Sequence, residues 1–200
     1  ATINVHGIQG HAALEEHAVN AVFEASRLIE ALRTEPIDHG TEYFPATSFQ
    51  VSNIHAGTGA DNVIPGSCYV RANFRWNDLQ TPEKIESHVR DVASKLKLNC
   101  DFDFREEGAP YLTKEGTLTN ALSKAITEVT GLRPYLATTG GTSDGRFIRP
   151  LGPETVEFGP VSNLIHKVDE MVKVRDLNDL TLSSCMADYF GIIPSLSKTV

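Results

Sequence analysis

The chain has 200 residues, of which 40% are apolar, and carries 18 basic against 26 acidic side chains for a net charge of −8. That length and composition fit a soluble globular protein with one or two domains. The acidic balance, with Lys and Arg scattered, argues against broad nucleic-acid or anionic-membrane binding, and no apolar run approaches the ~20 residues that span a bilayer.

Thr2–His6 alternates apolar Ile3 and Val5 with polar neighbours, as a half-buried strand does. Gly7 and Gly10 break it. Val19, Val22, Phe23, Ile29 and Leu32 recur at helical spacing and predict a helix over about Asn20–Arg33, with Asn20 as its cap. Thr47–Ile54 and Ser67–Arg75 read as two further strands, separated by Gly57-Thr58-Gly59 and Pro65-Gly66. Thr81-Pro82-Glu83 opens a second helix whose stripe is Ile85, Val89, Val92, Ala93 and Leu96. Asn99–Arg105 closes the series as a strand.

That order is β-α-β-β-α-β, the ferredoxin-like split unit. Residues 1–109 are therefore expected to form one small α/β domain, with a sheet edge or face left to pair with a second copy. After Gly108-Ala109-Pro110 the pattern changes. A helix over about Leu118–Thr130, a strand at Tyr135–Thr138, a short helix, a strand at Thr155–Phe158 and a final helix over about Asp176–Phe190 predict an alternating α/β arrangement for residues 110–200. Two strands are few for a parallel sheet, so this half reads as part of a larger one. The chain also starts at Ala1, inside an apparent strand, as a processed, truncated or excerpted chain would.

The residues that stand out chemically lie in two segments and three isolated places. Thr138-Thr139-Gly140-Gly141-Thr142-Ser143-Asp144-Gly145-Arg146-Phe147 sits at a predicted strand-to-helix junction, where unpaired N–H groups suit anions. It lacks the Gly-Lys-Ser/Thr of a Walker loop and the glycine spacing of a dinucleotide site. His166 follows a predicted strand end, in Gly159-Pro160-Val161-Ser162-Asn163-Leu164-Ile165-His166. Taken alone it reads as a surface or satisfied histidine, but its place suits a ligand. His11, Asn62 and Arg75 read, by themselves, as a turn histidine, a loop Asn before Pro-Gly, and a strand-end charge. Cys68, Cys100 and Cys185 are odd in number and widely spaced, which fits a reduced cytoplasmic protein rather than a disulfide framework or zinc knot.

Over nearly its whole length the chain resembles the C-terminal part of the succinyl-diaminopimelate desuccinylase family, within the dinuclear-zinc aminoacylase and carboxypeptidase superfamily. The Gly-rich run, Gly7-Ile8-Gln9-Gly10-His11, Asn62-Val63-Ile64-Pro65-Gly66 and Ile165-His166-Lys167 carry the resemblance. It implies a homodimer formed through residues 1–109, the dimerisation or lid domain, and an incomplete α/β zinc-hydrolase domain over residues 110–200. It implies hydrolysis of N-succinyl-LL-2,6-diaminopimelate in lysine and peptidoglycan-precursor synthesis, with two zinc ions in the intact enzyme.

By the same resemblance, His166 is a zinc ligand, and His11 stabilises the oxyanion from the partner subunit. Asn62, Arg75, Gly141, Thr142, Ser143 and Ser162 contact substrate. Ser162 stands where the family has Asn, and Ala12-Ala13-Leu14-Glu15-Glu16-His17 replaces its usual Tyr-Pro-His. The family's other metal ligands have no counterpart in this chain, so the isolated chain is expected to be inactive, with at most a partial zinc site. Two alternatives stand beside this: a non-catalytic dimerisation fragment, and a related zinc deacylase such as acetylornithine deacetylase.

Overall fold

The computed structural model describes residues 1–139, 141, 143–160 and 163–191, and the chain divides into two compact units, Ala1–Pro110 and Tyr111–Val200.

In the first unit, strand β1 (Thr2–His6) leads through the two-residue β2 (Gly10–His11) and a 3-10 turn at Glu15–His17 into helix α1 (Ala21–Thr34). Strands β3 (Ser48–Ala56), β4 (Val63–Ile64) and β5 (Ser67–Arg75) follow, then helix α2 (Pro82–Lys95) and strand β6 (Asn99–Asp103). The main sheet has the order β3-β5-β1-β6, and every neighbouring pair is antiparallel. This is the ferredoxin-like arrangement that the element order predicts.

Both helices start where their caps demand. Asn20 Oδ1 accepts the Val22 N–H at 2.9 Å, and Thr81 Oγ1 accepts the Lys84 N–H at 3.3 Å. The strand alternation sends Ile3, Val5, Cys68 and Val70 into one face, where Ala21, Ala25, Leu28 and Leu32 of α1 and Val89, Val92 and Ala93 of α2 cover them. The register of β3 slips between Val51 and Asn53. Ile54, past that bulge, is 48% exposed on an edge strand.

The connection from α1 to β3 is organised by Asp38. Its carboxylate accepts from Gly40 N–H at 2.9 Å, Thr47 N–H at 3.0 Å, Thr47 Oγ1 at 2.5 Å, Asn77 Nδ2 at 2.7 Å and Gln80 Nε2 at 3.0 Å. Burial pushes this carboxyl up, but the hydrogen bonds from Thr47, Gly40 and Asn77 outweigh it and hold it down at about 2. The side chain thereby ties the entry to β3 to the loop that follows β5.

The second unit contains helices α3 (Thr117–Thr130), α4 (Gly145–Ile148) and α5 (Val174–Gly191), with a 3-10 turn at Arg149–Leu151. α3 buries Thr119, Ala121 and Ala125, and α5 buries Ser183 and Ala187; these small faces let the two helices pack closely. Glu154 caps α3 from 36 residues away, its carboxylate accepting Leu118 N–H at 2.6 Å and Thr117 N–H at 3.0 Å. The strands predicted at Tyr135–Thr138 and Thr155–Phe158 do not form: neither joins a ladder. A strand exists only against a neighbour, and these segments find none among the described residues. Thr155 is instead held by its carbonyl, which accepts from Thr113 Oγ1 at 2.5 Å.

Candidate functional site

In the first unit, His11 and Asn62 are brought together by a ladder that periodicity could not reveal. β2 pairs with β4 antiparallel, Gly10 opposite Ile64 and His11 opposite Val63. Gly7 makes the approach possible, since its N–H donates to the Gly66 carbonyl at 2.8 Å and a Cβ at this position would strike the Val19 carbonyl. Ala12 N–H then donates to the Asn62 carbonyl at 2.9 Å. Asn62 Nδ2 lies 3.5 Å from His11 Nε2. On the other side of the ring, Ala13 N–H donates to His11 Nδ1 at 3.0 Å. A neutral imidazole that accepts at Nδ1 carries its proton on Nε2. Both side chains are exposed, so Nε2–H and the Asn62 amide offer donors to the same open space.

Arg75 does not join them. β1 runs so that His6 pairs with Ser67, which puts the His11–Asn62 turn at the Ser67 end of β5. Arg75 closes the other end, opposite Ser48. A strand of nine residues separates its ends by roughly 26 Å at ~3.3 Å per step. Reaching the His11 turn is beyond any side chain at Arg75.

In the second unit, the described part of the Gly-rich run is held from below. Ser143 Oγ donates to Glu157 Oε1 at 2.5 Å and accepts the Gly145 N–H at 3.0 Å. Tyr111 Oη donates to the same Glu157 oxygen at 2.6 Å. Burial pushes the Tyr111 phenol up, and the Glu157 carboxylate adds to the rise. Gly141 is exposed, and a Cβ there would meet nothing among the described residues. Thr142 and Ser162, both expected to contact substrate, lie outside the described residues. Nothing local in the sequence marks Glu157 and Tyr111, whose partners are 14 and 46 residues away.

His166 is exposed and takes a left-handed backbone conformation, φ 60°, uncommon for a residue with a Cβ. Its N–H donates to Glu170 Oε2 at 3.2 Å. A catalytic zinc ion takes about three protein ligands. Among the described residues no three His, Cys, Asp or Glu side chains are grouped to hold a metal. The described residues therefore do not by themselves fit a zinc centre.

The model of the peptidase dimerisation domain family matches residues 1–100, half of the chain. The chain belongs to that family. Curated relatives extend the match beyond it. The succinyl-diaminopimelate desuccinylase of Thioalkalivibrio sulfidiphilus is 48% identical over 179 residues, covering 90% of this chain and 48% of the relative. That of Hydrogenovibrio crunogenus is 46% identical over 180 residues, again 90% of this chain and 48% of the relative. The chain thus spans about half the length of the curated relatives it matches.

Solved structures share its fold. A tripeptidase from Staphylococcus aureus superposes with a TM-score of 0.64 at 22% identity, over 93% of this chain and 49% of the other. An M20 family metallo-carboxypeptidase from Sulfolobus solfataricus superposes with a TM-score of 0.67 at 13% identity, over 96% of this chain and 58% of the other. No helix among the described residues is long and apolar enough to cross a membrane.

Proposed function

We propose that the chain is the dimerisation domain and the C-terminal part of the catalytic domain of a zinc-dependent amidohydrolase. Its reaction is hydrolysis of N-succinyl-LL-2,6-diaminopimelate, in which water cleaves the amide C–N bond to release succinate and LL-2,6-diaminopimelate. The reading places the enzyme in the cytoplasm, in lysine and peptidoglycan-precursor synthesis. The observation that carries it is the 46–48% identity to desuccinylases of several bacteria over about 90% of the chain. That identity runs through both units, not the dimerisation unit alone.

In this reading the homodimer forms through residues 1–109. His11 and Asn62 reach the active site of the partner subunit, where the Nε2–H of His11 stabilises the oxyanion that forms as water adds to the amide carbonyl. Arg75 serves its own subunit's site and clamps a substrate carboxylate through its planar fork. The separation of His11 from Arg75 along β5 supports this division, because one substrate of this size cannot touch both in one chain. Gly141, Thr142, Ser143 and Ser162 border the substrate. His166 supplies one metal ligand; the rest of the ligand set is not among the described residues.

The test is a chimera in which this chain replaces the matching residues of the Hydrogenovibrio crunogenus relative. It should hydrolyse the succinyl substrate well ahead of N-acetylornithine. His11→Ala should lower kcat by about 100-fold or more, as loss of an oxyanion donor does. A chimera that folds, binds metal and prefers the acetyl substrate would contradict the assignment. The second reading, a dimerisation fragment without catalysis of its own, is favoured by the family match over residues 1–100. It predicts a stable dimer of the 200-residue chain with no turnover.

A further inference from the structure

Two separate stretches of the second unit converge on one carboxylate oxygen of a third. Tyr111 Oη and Ser143 Oγ both donate to Glu157 Oε1, at 2.6 Å and 2.5 Å. A hydroxyl has one proton to give, and an ionised carboxylate only accepts. Short O–H···O⁻ contacts of this kind belong to the stronger class of hydrogen bonds. The proton of Ser143 is therefore committed to Glu157, and one of its lone pairs is committed to the Gly145 N–H at 3.0 Å.

The backbone is shaped to the same cluster. Gly145 is buried, and a Cβ on it would run into the Tyr111 hydroxyl and Ser143 Oγ. The turn continues as Phe147 N–H donates to the Asp144 carbonyl at 3.0 Å, opening α4. Tyr111, Glu157, Ser143 and Gly145 thus form one clamp beneath the Gly-rich segment. The half-buried Ser143 has its hydroxyl engaged by Glu157 and by the Gly145 N–H.

We propose that Glu157 is a positioning residue for the Gly-rich segment: it takes up the Ser143 hydroxyl, so that Ser143 anchors the turn into α4. Tyr111 is the second support, and its phenol, raised by burial and by Glu157, reports on the carboxylate directly.

The test uses the full 200-residue chain, isotope-labelled, with Glu157→Ala, Glu157→Gln and Ser143→Ala. Amide exchange at Gly145 should accelerate by about tenfold or more in Ser143→Ala, which removes its acceptor, and in Glu157→Ala, which frees that acceptor to move. Exchange at Ala125 in α3 should not change. Glu157→Gln keeps a carbonyl oxygen for the two hydroxyls, so Gly145 should stay within about threefold of the parent. In that variant the Tyr111 phenol should titrate at lower pH, since the charge that helps raise it is gone.

Unchanged Gly145 exchange in Glu157→Ala would overturn the proposal. So would an equal acceleration at Ala125, which would make Glu157 a general stabiliser. If Glu157→Ala does not fold, the fold-preserving Glu157→Gln decides: an unmoved Tyr111 titration sinks the clamp.

Discussion

Asn62 Nδ2 lies 3.5 Å from His11 Nε2, while the opposite ring nitrogen of His11 accepts the Ala13 N–H at 3.0 Å. The two contacts divide the ring into a side fixed by the backbone and a side left to donate. With Nδ1 occupied as an acceptor, the neutral ring keeps its proton on Nε2, facing the Asn62 amide. Two donors then share one space, an arrangement that a ligand oxygen completes. Nitrogen-15 spectra of the neutral ring should show a protonated Nε2 and an unprotonated Nδ1. Asn62→Ala should leave that tautomer in place, and Ala13→Pro, which removes the N–H, should mix the two forms. A dominant Nδ1–H form in the parent chain would contradict the assignment.

Asp38 sets an acid limit on the first unit. Its folded carboxyl is held at about 2, against an ordinary 3.8. A depressed carboxyl contributes stability that is fully present above its unfolded pKa and is lost as pH falls through the folded one. The contribution of Asp38 should therefore fade between about pH 4 and pH 2. Asp38→Ala should cost about 2 kcal/mol at neutral pH, because the Thr47 and Asn77 donors lose a charged acceptor. Urea melts of parent and variant at neutral pH and at pH 3 should converge on acidification. A gap that stays constant would show that the carboxylate is not what holds the loop.

The buried faces of the two units respond differently to truncation. Leu28 is 1% exposed in the main core, and Leu28→Ala should destabilise the first unit by about 3 kcal/mol. Ser183 of α5 is fully buried, and among the described residues its hydroxyl finds no hydrogen-bond partner. Removing an unpaired buried hydroxyl relieves a desolvation cost, so Ser183→Ala should be neutral or stabilising by up to about 1 kcal/mol. Thermal melts of the two variants check both. A clear loss of stability in Ser183→Ala would mean that the hydroxyl has a partner in solution.

The three thiols should react at different rates. Cys185 is exposed, whereas burial pushes Cys68 up and Cys100, with help from Asp101, up to about 11. The thiolate is the reactive form. At pH 8, iodoacetamide should modify Cys185 first and leave the other two largely untouched until the chain unfolds. Peptide mapping after brief labelling measures this, and fast modification of Cys100 would contradict the partial burial of its side chain.

The first unit was largely legible in the sequence, because its signals are local. Strand alternation puts Ser67–Arg75 at its observed bounds, and Asn20 and Thr81-Pro82 mark helix starts by side-chain chemistry that acts within three residues. What escaped was short or distant. β2 and β4 have two residues each, too few for any period, yet their pairing is what joins His11 to Asn62. The second unit was harder for a physical reason. Tyr135–Thr138 and Thr155–Phe158 carry strand-like composition, but a ladder depends on neighbours that local sequence cannot supply. Glu154 and Glu157 look like ordinary surface acids, and their work as helix cap and loop clamp is decided by residues up to 46 positions away.

The central claim is that each active site draws His11 from one subunit and Arg75 from the other. Hybrid dimers test it most directly. In the chimera with the Hydrogenovibrio relative, His11→Ala and Arg75→Ala should each abolish most activity alone. Mixed and allowed to exchange subunits, they should recover about a quarter of the parent activity, because half the dimers are hybrids and each hybrid contains one intact site. If the mixture stays as inactive as the separate variants although hybrids form, both residues serve the same subunit's site and the account is wrong.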